Sequence, residues 1–124
     1  MTEGSRPAAT GLAGEILVAD WLTAQGWQVV ARRWRCPWGE LDLVALQPNL
    51  ISFVEVKTRR TGNWDQGGLA ALTDRKQTHL RQAAAAFLAA HPNWSDWPCR
   101  FDVALVHRAA GRLYLDVYLE AAFT

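Results

Sequence analysis

The chain has no apolar run approaching the roughly 18 residues that a membrane-spanning helix needs, and no apolar signal segment near its N-terminus. A membrane span is therefore not expected. Cysteine is scarce: Cys36 and Cys99 lie far apart and fit no metal spacing. They read as reduced thiols of a cytoplasmic protein, with a single bridge between them as the alternative. The three histidines, His79, His91 and His107, show no ligand spacing either. No repeat or low-complexity stretch is present. Charge of one sign is also lacking. Thirteen basic against twelve acidic side chains leave a net charge of only +1, which is not the signature of a bulk nucleic-acid binder.

What the chain does have is charge where strands should be apolar. Glu40-Leu41-Asp42-Leu43-Val44 and Phe53-Val54-Glu55-Val56-Lys57 read as core strands carrying acids and a lysine. Such side chains are costly to bury unless paired or bound to a cation. Between the strands stands Pro48-Asn49, a turn dipeptide. If those two residues form the whole loop, Gln47 pairs with Leu50, Asp42 faces Glu55 and Glu40 faces Lys57. Directly opposed residues share a sheet face, as do residues two apart. Glu40, Asp42, Glu55 and Lys57 then make one polar quartet, with Leu41, Leu43, Val54 and Val56 on the core side. A slip of one residue breaks the quartet. Pro-Asn is not the primed turn that two-residue hairpins favour, so a longer loop stays open.

Two neighbouring carboxylates repel, and a hard cation such as Mg²⁺ relieves that repulsion through oxygen ligands. A lysine beside them can orient a water and stabilise phosphate charge. The alternative is a cross-strand salt-bridge pair at a solvated sheet edge. Apolar residues on both faces of these strands favour the metal site.

An acid on one strand followed by Glu-x-Lys on the next resembles the PD-(D/E)xK pattern of restriction-endonuclease-like nucleases. The wider set is Gly11-x-x-Gly14-Glu15, Gly39-Glu40-Leu41-Asp42-Leu43, Phe53-Val54-Glu55-Val56-Lys57-Thr58-Arg59 and Arg100-Phe101-Asp102-Val103. It resembles the YraN family, small bacterial proteins similar to archaeal Holliday-junction resolvases, over nearly the whole chain. The resemblance implies a restriction-endonuclease-like α/β fold, a mixed β-sheet flanked by α-helices. It implies an Mg²⁺- or Mn²⁺-dependent DNA endonuclease, acting on branched or junction DNA, with a homodimer as a further expectation. Asp42 and Glu55 then correspond to the metal ligands, Lys57 to the catalytic lysine and Glu15 to a helix acid joining the site. Glu40 reads as an orienting residue for Lys57. One departure is that the family's Asn-x-Arg stands here as Arg33-Trp34-Arg35.

Basic residues cluster at Arg32, Arg33 and Arg35, at Lys57, Arg59 and Arg60, and at Arg75, Lys76, His79 and Arg81. Each alone reads as a solvated face. The first two abut the acids, so Arg32, Arg33, Arg35, Arg59 and Arg60, with Lys76, are the expected phosphate contacts. The length fits one domain over residues 11–124, behind a disordered lead over 1–10. Hydrophobic periodicity and turn signals predict a helix over 11–25, stopped by Gly26, and strands over 27–31, 39–46 and 50–58. A second helix is predicted from Thr73 or Asp74 to about Ala90, then strands over 99–107 and 113–119 around Gly111. Residues 59–68 read as a loop in which Trp64 either packs down or stacks on a base. Most of the seven tryptophans read as core, with Trp94 and Trp97 also eligible as a partner surface. Asp102 near Arg100 reads as a structural anchor rather than a metal ligand.

Overall fold

The computed structural model describes residues 5–60 and 72–124, with side chains from residue 11 onward. The element order is α1 (Ser5–Ala24), β1 (Gln28–Cys36), β2 (Gly39–Gln47), β3 (Leu50–Arg60), α2 (Asp74–Ala90), β4 (Cys99–Ala109) and β5 (Arg112–Phe123), with a 3-10 turn at Pro92–Trp94. The strands form one sheet in the order β1-β2-β3-β4-β5. Only β3 and β4 are parallel, joined through α2; the other neighbours are antiparallel. One helix covers each face of the sheet, which is the restriction-endonuclease-like α/β arrangement expected.

Each element has a local cause. α1 starts six residues earlier than position 11, with Pro7 in its first turn, where a missing N–H costs nothing. It stops at Gly26 (φ 96), where Trp27 N–H donates to Leu22 O and Gly26 N–H to Thr23 O, a Schellman closure. Thr73 caps α2 by accepting the Lys76 N–H on its hydroxyl at 3.2 Å. The hairpin turns obey their φ demands. Asn49 has φ 61 after Pro48, as a type II turn requires, and Ala110 and Gly111 both have positive φ, as in a primed turn.

Two apolar layers hold the sheet between the helices. On one face Val18, Ala19 and Leu22 of α1 pack with Trp27, Leu43, Ala45, Val54, Ala104 and Val106. On the other, Leu80, Ala83, Ala84 and Phe87 of α2 pack with Leu41, Val44, Leu46, Ile51, Phe53, Val103 and Leu105. Trp34, Trp94 and Trp97 are partly buried against this second layer, and Trp94 stacks on Phe87 and His91. Trp94 and Trp97 thus belong to the packing of the domain. Trp38 is exposed, and Trp64 lies outside the described residues, as does most of the loop expected over 59–68.

The arginine cluster does not follow the first strand but lies inside it. β1 runs to Cys36 because it is an edge strand, paired only with β2, which leaves room for solvated Arg32 and Arg35. Cys36 and Cys99 are both free thiols. No helix among the described residues is long and apolar enough to cross a membrane.

Candidate active site

The β2–β3 register is the one that the Pro48-Asn49 turn dictates. Gln47 pairs with Leu50, Ala45 with Ser52 and Leu43 with Val54. There the ladder ends. Beyond Val54 β3 continues in parallel with β4, while β2 stays with β1. Asp42 sits at the fork. Its carboxylate Oδ2 accepts the Val56 N–H at 2.8 Å, in place of the backbone bond that the separating strands no longer make.

The side-chain alternation of β2 breaks at the same residue. Leu41 packs on the α2 side and Leu43 on the α1 side, although two residues apart should share a face. The expected core set of Leu41, Leu43, Val54 and Val56 is therefore split, and so is the expected quartet. Glu40 is carried to Arg35, whose Nε it meets at 2.9 Å, and does not orient Lys57. Lys57 Nζ instead lies 3.0 Å from Glu55 Oε2. What remains together is Asp42, Glu55 and Lys57.

Glu55 is buried, and the same oxygen receives a second ammonium, Lys76 Nζ from α2, at 3.2 Å. The Thr73 cap fixes the turn that carries Lys76. Lys76, expected as a phosphate contact, is thus held on Glu55. Burial first, and then the Glu55 charge, push the Asp42 carboxyl up to about 8. The Asp42 carboxyl therefore holds its proton more tightly than an ordinary aspartate, with Glu55 beside it.

Glu15 reaches the site from α1 because α1 lies very close to β3. A Cβ at Gly14 would overlap Thr58 Oγ1, so only glycine permits that approach. Glu15 Oε1 accepts from Arg33 Nε at 2.7 Å. Its pKa is raised by burial, against the pull of Arg33, with Glu40 and Glu55 adding to the rise. It therefore feels the other acids without joining them. Among the described residues no three His, Cys, Asp or Glu side chains are gathered to hold a metal ion. Arg33 has φ 51, a left-handed conformation that asparagine tolerates better than most residues. Arginine here accepts the left-handed backbone and pairs with Glu15. Arg32 is exposed on β1, and Arg59 and Arg60 are exposed at the end of β3.

Two carboxylates suffice for Mg²⁺, which usually takes one or two together with water and phosphate. Asp42 and Glu55 fit that role: they are adjacent, their like charges oppose each other, and together they line one small cavity with Leu41, Phe53 and Leu80. Glu15, tied to Arg33, does not fit as a third ligand in this arrangement.

Sequence reasoning named Asp102 with Arg100 but not its other partners. The carboxylate is fully buried and receives Ser52 Oγ at 2.7 Å, Tyr118 Oη at 2.7 Å, Ala121 N–H at 2.9 Å and Arg100 Nε and Nη2 at 2.9 and 3.0 Å. Burial and then the Asp102 charge push the Tyr118 phenol well above its ordinary range. The Ala121 bond holds a left-handed residue (φ 50) where the β4–β5 register shifts. Asp102 is thus a saturated anchor for the β5 bulge. Nothing short of the folded chain signals Ser52, Tyr118 or Ala121 as its partners.

Comparison with known proteins adds kinship. The model of the uncharacterised protein family UPF0102 matches residues 14–106. A UPF0102 protein of Synechococcus sp. (strain JA-3-3Ab) is 56% identical over 118 residues, covering 92% of this chain and 89% of that protein. Another from Thermosynechococcus vestitus, UPF0102 protein tll1737, is 52% identical over 112 residues, covering 90% of each.

Proposed function

The chain belongs to the uncharacterised protein family UPF0102, the group its YraN-like motifs resemble, and we propose that it is a metal-dependent DNA endonuclease hydrolysing phosphodiester bonds, with branched or junction DNA as substrate. One observation carries this reading: Asp42, partly buried, beside the buried Glu55, with Lys57 on Glu55, at the point where β2 and β3 separate. A structural ion pair needs no second acid, and packing alone gives no reason to set two carboxyls side by side.

Asp42 and Glu55 would hold the Mg²⁺ or Mn²⁺ ion. When bound, the cation supplies positive charge to a phosphoryl oxygen and to the leaving oxygen. Lys57 is partly buried and its ammonium is a donor only. It orients the attacking water and stabilises charge on the phosphate. The Val56 N–H fixes the Asp42 carboxylate, so the site's geometry does not depend on a mobile side chain. Arg32, Arg59 and Arg60 are exposed for phosphate contacts on either side.

A second reading is a nucleic-acid-binding module that needs a partner, such as a second copy, to cleave. The observation favouring it is that Arg33 engages Glu15 while two lysines engage Glu55. A panel of labelled duplex, single-strand, flap and four-way-junction DNA, with Mg²⁺, Mn²⁺ or chelator, decides between the two. Metal-dependent cleavage that Lys57→Ala abolishes supports the nuclease. DNA binding and a metal-dependent rise in melting temperature without turnover support the module.

A further inference from the structure

On the nuclease reading above, we propose that the end of the sheet beyond Lys57 is a docking surface for an unpaired DNA strand, with Tyr114 as its stacking platform. Strand register builds the surface. Arg59 of β3 pairs with His107 of β4, and His107 pairs with Tyr114 of β5. The three side chains therefore lie in one row across the sheet. That row shares its face with the site. Phe53 and Leu105 belong to the α2-side core; counting by twos leads from Phe53 through Glu55 and Lys57 to Arg59, and from Leu105 to His107. Arg59 is about 7 Å along the strand from Lys57, so the row begins where the site ends.

The chemistry of the row is that of a stacking site rather than a core. Tyr114 is 41% exposed. Its ring tilts against His107 with centroids 5.3 Å apart, and the Arg112 guanidinium lies 5.8 Å from its centroid. The guanidinium lies over the Tyr114 ring, so a base stacks there as Arg112 swings from the ring to a phosphate. On the other face of the same sheet end, Arg60 and Arg108 line an open groove of about 530 Å³ with the turn at 109–111. No acid occurs at positions 58–60 or 106–115, which hold four arginines and a histidine in a chain whose net charge is only +1. Charge of one sign, gathered at one end, complements a polyanion. Bases stacked inside a duplex have both faces covered, so the occupant along this row is a strand with unpaired nucleotides.

The test is binding, measured in chelator by fluorescence anisotropy, so that it is independent of cleavage. The probes are a DNA duplex with a single-stranded tail and the same duplex with blunt ends. Tyr114→Leu keeps bulk and strand propensity but loses the aromatic face. It should weaken binding of the tailed probe about tenfold and leave the blunt duplex unchanged. Tyr114→Phe should bind as wild type. Equal loss on both probes, wild-type binding by Tyr114→Leu, or no preference of wild type for the tailed probe would each overturn the proposal. The two readings fail separately. A protein that cleaves nothing yet loses tail binding on Tyr114→Leu keeps this surface and not the nuclease. A protein that cleaves normally and binds tails without Tyr114 does the reverse.

Discussion

Lys76 Nζ lies 3.2 Å from Glu55 Oε2, the same oxygen that Lys57 meets at 3.0 Å. The two lysines are not equivalent. Lys57 stands on the same strand as Glu55, whereas Lys76 comes from the first turn of α2 and is half-exposed. On the proposed function, Lys76 is a counter-ion that a bound divalent cation would displace.

Lys76→Met should therefore raise the affinity for Mg²⁺ or Mn²⁺ while lowering stability in chelator. A partly solvated ion pair contributes up to about 1 kcal/mol, so the half-saturating metal concentration should fall about fivefold. Thermal melts across a metal titration read both effects. An unchanged metal midpoint would mean that Lys76 and the cation do not compete for Glu55.

Gly14→Ala tests how Glu15 is brought to the site. The new Cβ would overlap Thr58 Oγ1, while the next nearest atoms stand at ordinary contact distances of 3.6 and 3.7 Å. Overpacking of this kind destabilises by about 1–3 kcal/mol. Thr58 Oγ1 is also a buried hydroxyl with no partner, so Thr58→Ala alone should cost little. The double variant should recover most of the loss, and a double-mutant cycle of melts measures the coupling. Additive losses would place the cost in the helix rather than at the α1–β3 contact.

The hairpin register was legible because it is set locally: a two-residue turn leaves one pairing, and Pro48-Asn49 meets the φ demands of that turn. The fork at Asp42 was not legible. It arises where β2 leaves β3 after Leu43–Val54 and stays with β1, while β3 runs on along β4, which holds its other edge throughout; the period-2 rule has no term for where two strands part. Hence Asp42, Glu55 and Lys57 could be named together, while Glu40 was misplaced on Lys57. The arginines of β1 escaped for a related reason. The predicted strand ended at Ala31, ahead of the clustered charge, and only the edge position in the sheet lets the arginines continue it. Lys76 was visible as a cation, but its destination depends on where α2 docks.

DNA binding should fall steeply with salt, and the slope counts the contacts. Each duplex phosphate neutralised contributes about 0.9 to the magnitude of the log–log slope. Arg59 and Arg60, both exposed at the end of β3, should together account for about 1–2 units, lost when both are changed to Ala. Reduced affinity with an unchanged slope would mean that these arginines act through the fold.

Asp42→Asn separates a metal site from a structural network. Asparagine keeps the arrangement, since its amide oxygen can accept the Val56 N–H and its amide nitrogen can donate to the neighbouring Glu55. It removes the titration. The Asp42 carboxyl is raised from 3.8 to about 8 in the fold, so the unfolded chain releases that proton first. Its contribution to stability is full below its unfolded value and is lost as pH rises through about 8. In chelator, wild type should lose stability across that window, and Asp42→Asn should lose less and melt at or above wild type at its alkaline end. Excess Mg²⁺ or Mn²⁺ should stabilise wild type by mass action and the variant much less. A purely structural network predicts the opposite pair of results. Asparagine would then destabilise by on the order of 1–3 kcal/mol in chelator, and metal would move neither protein.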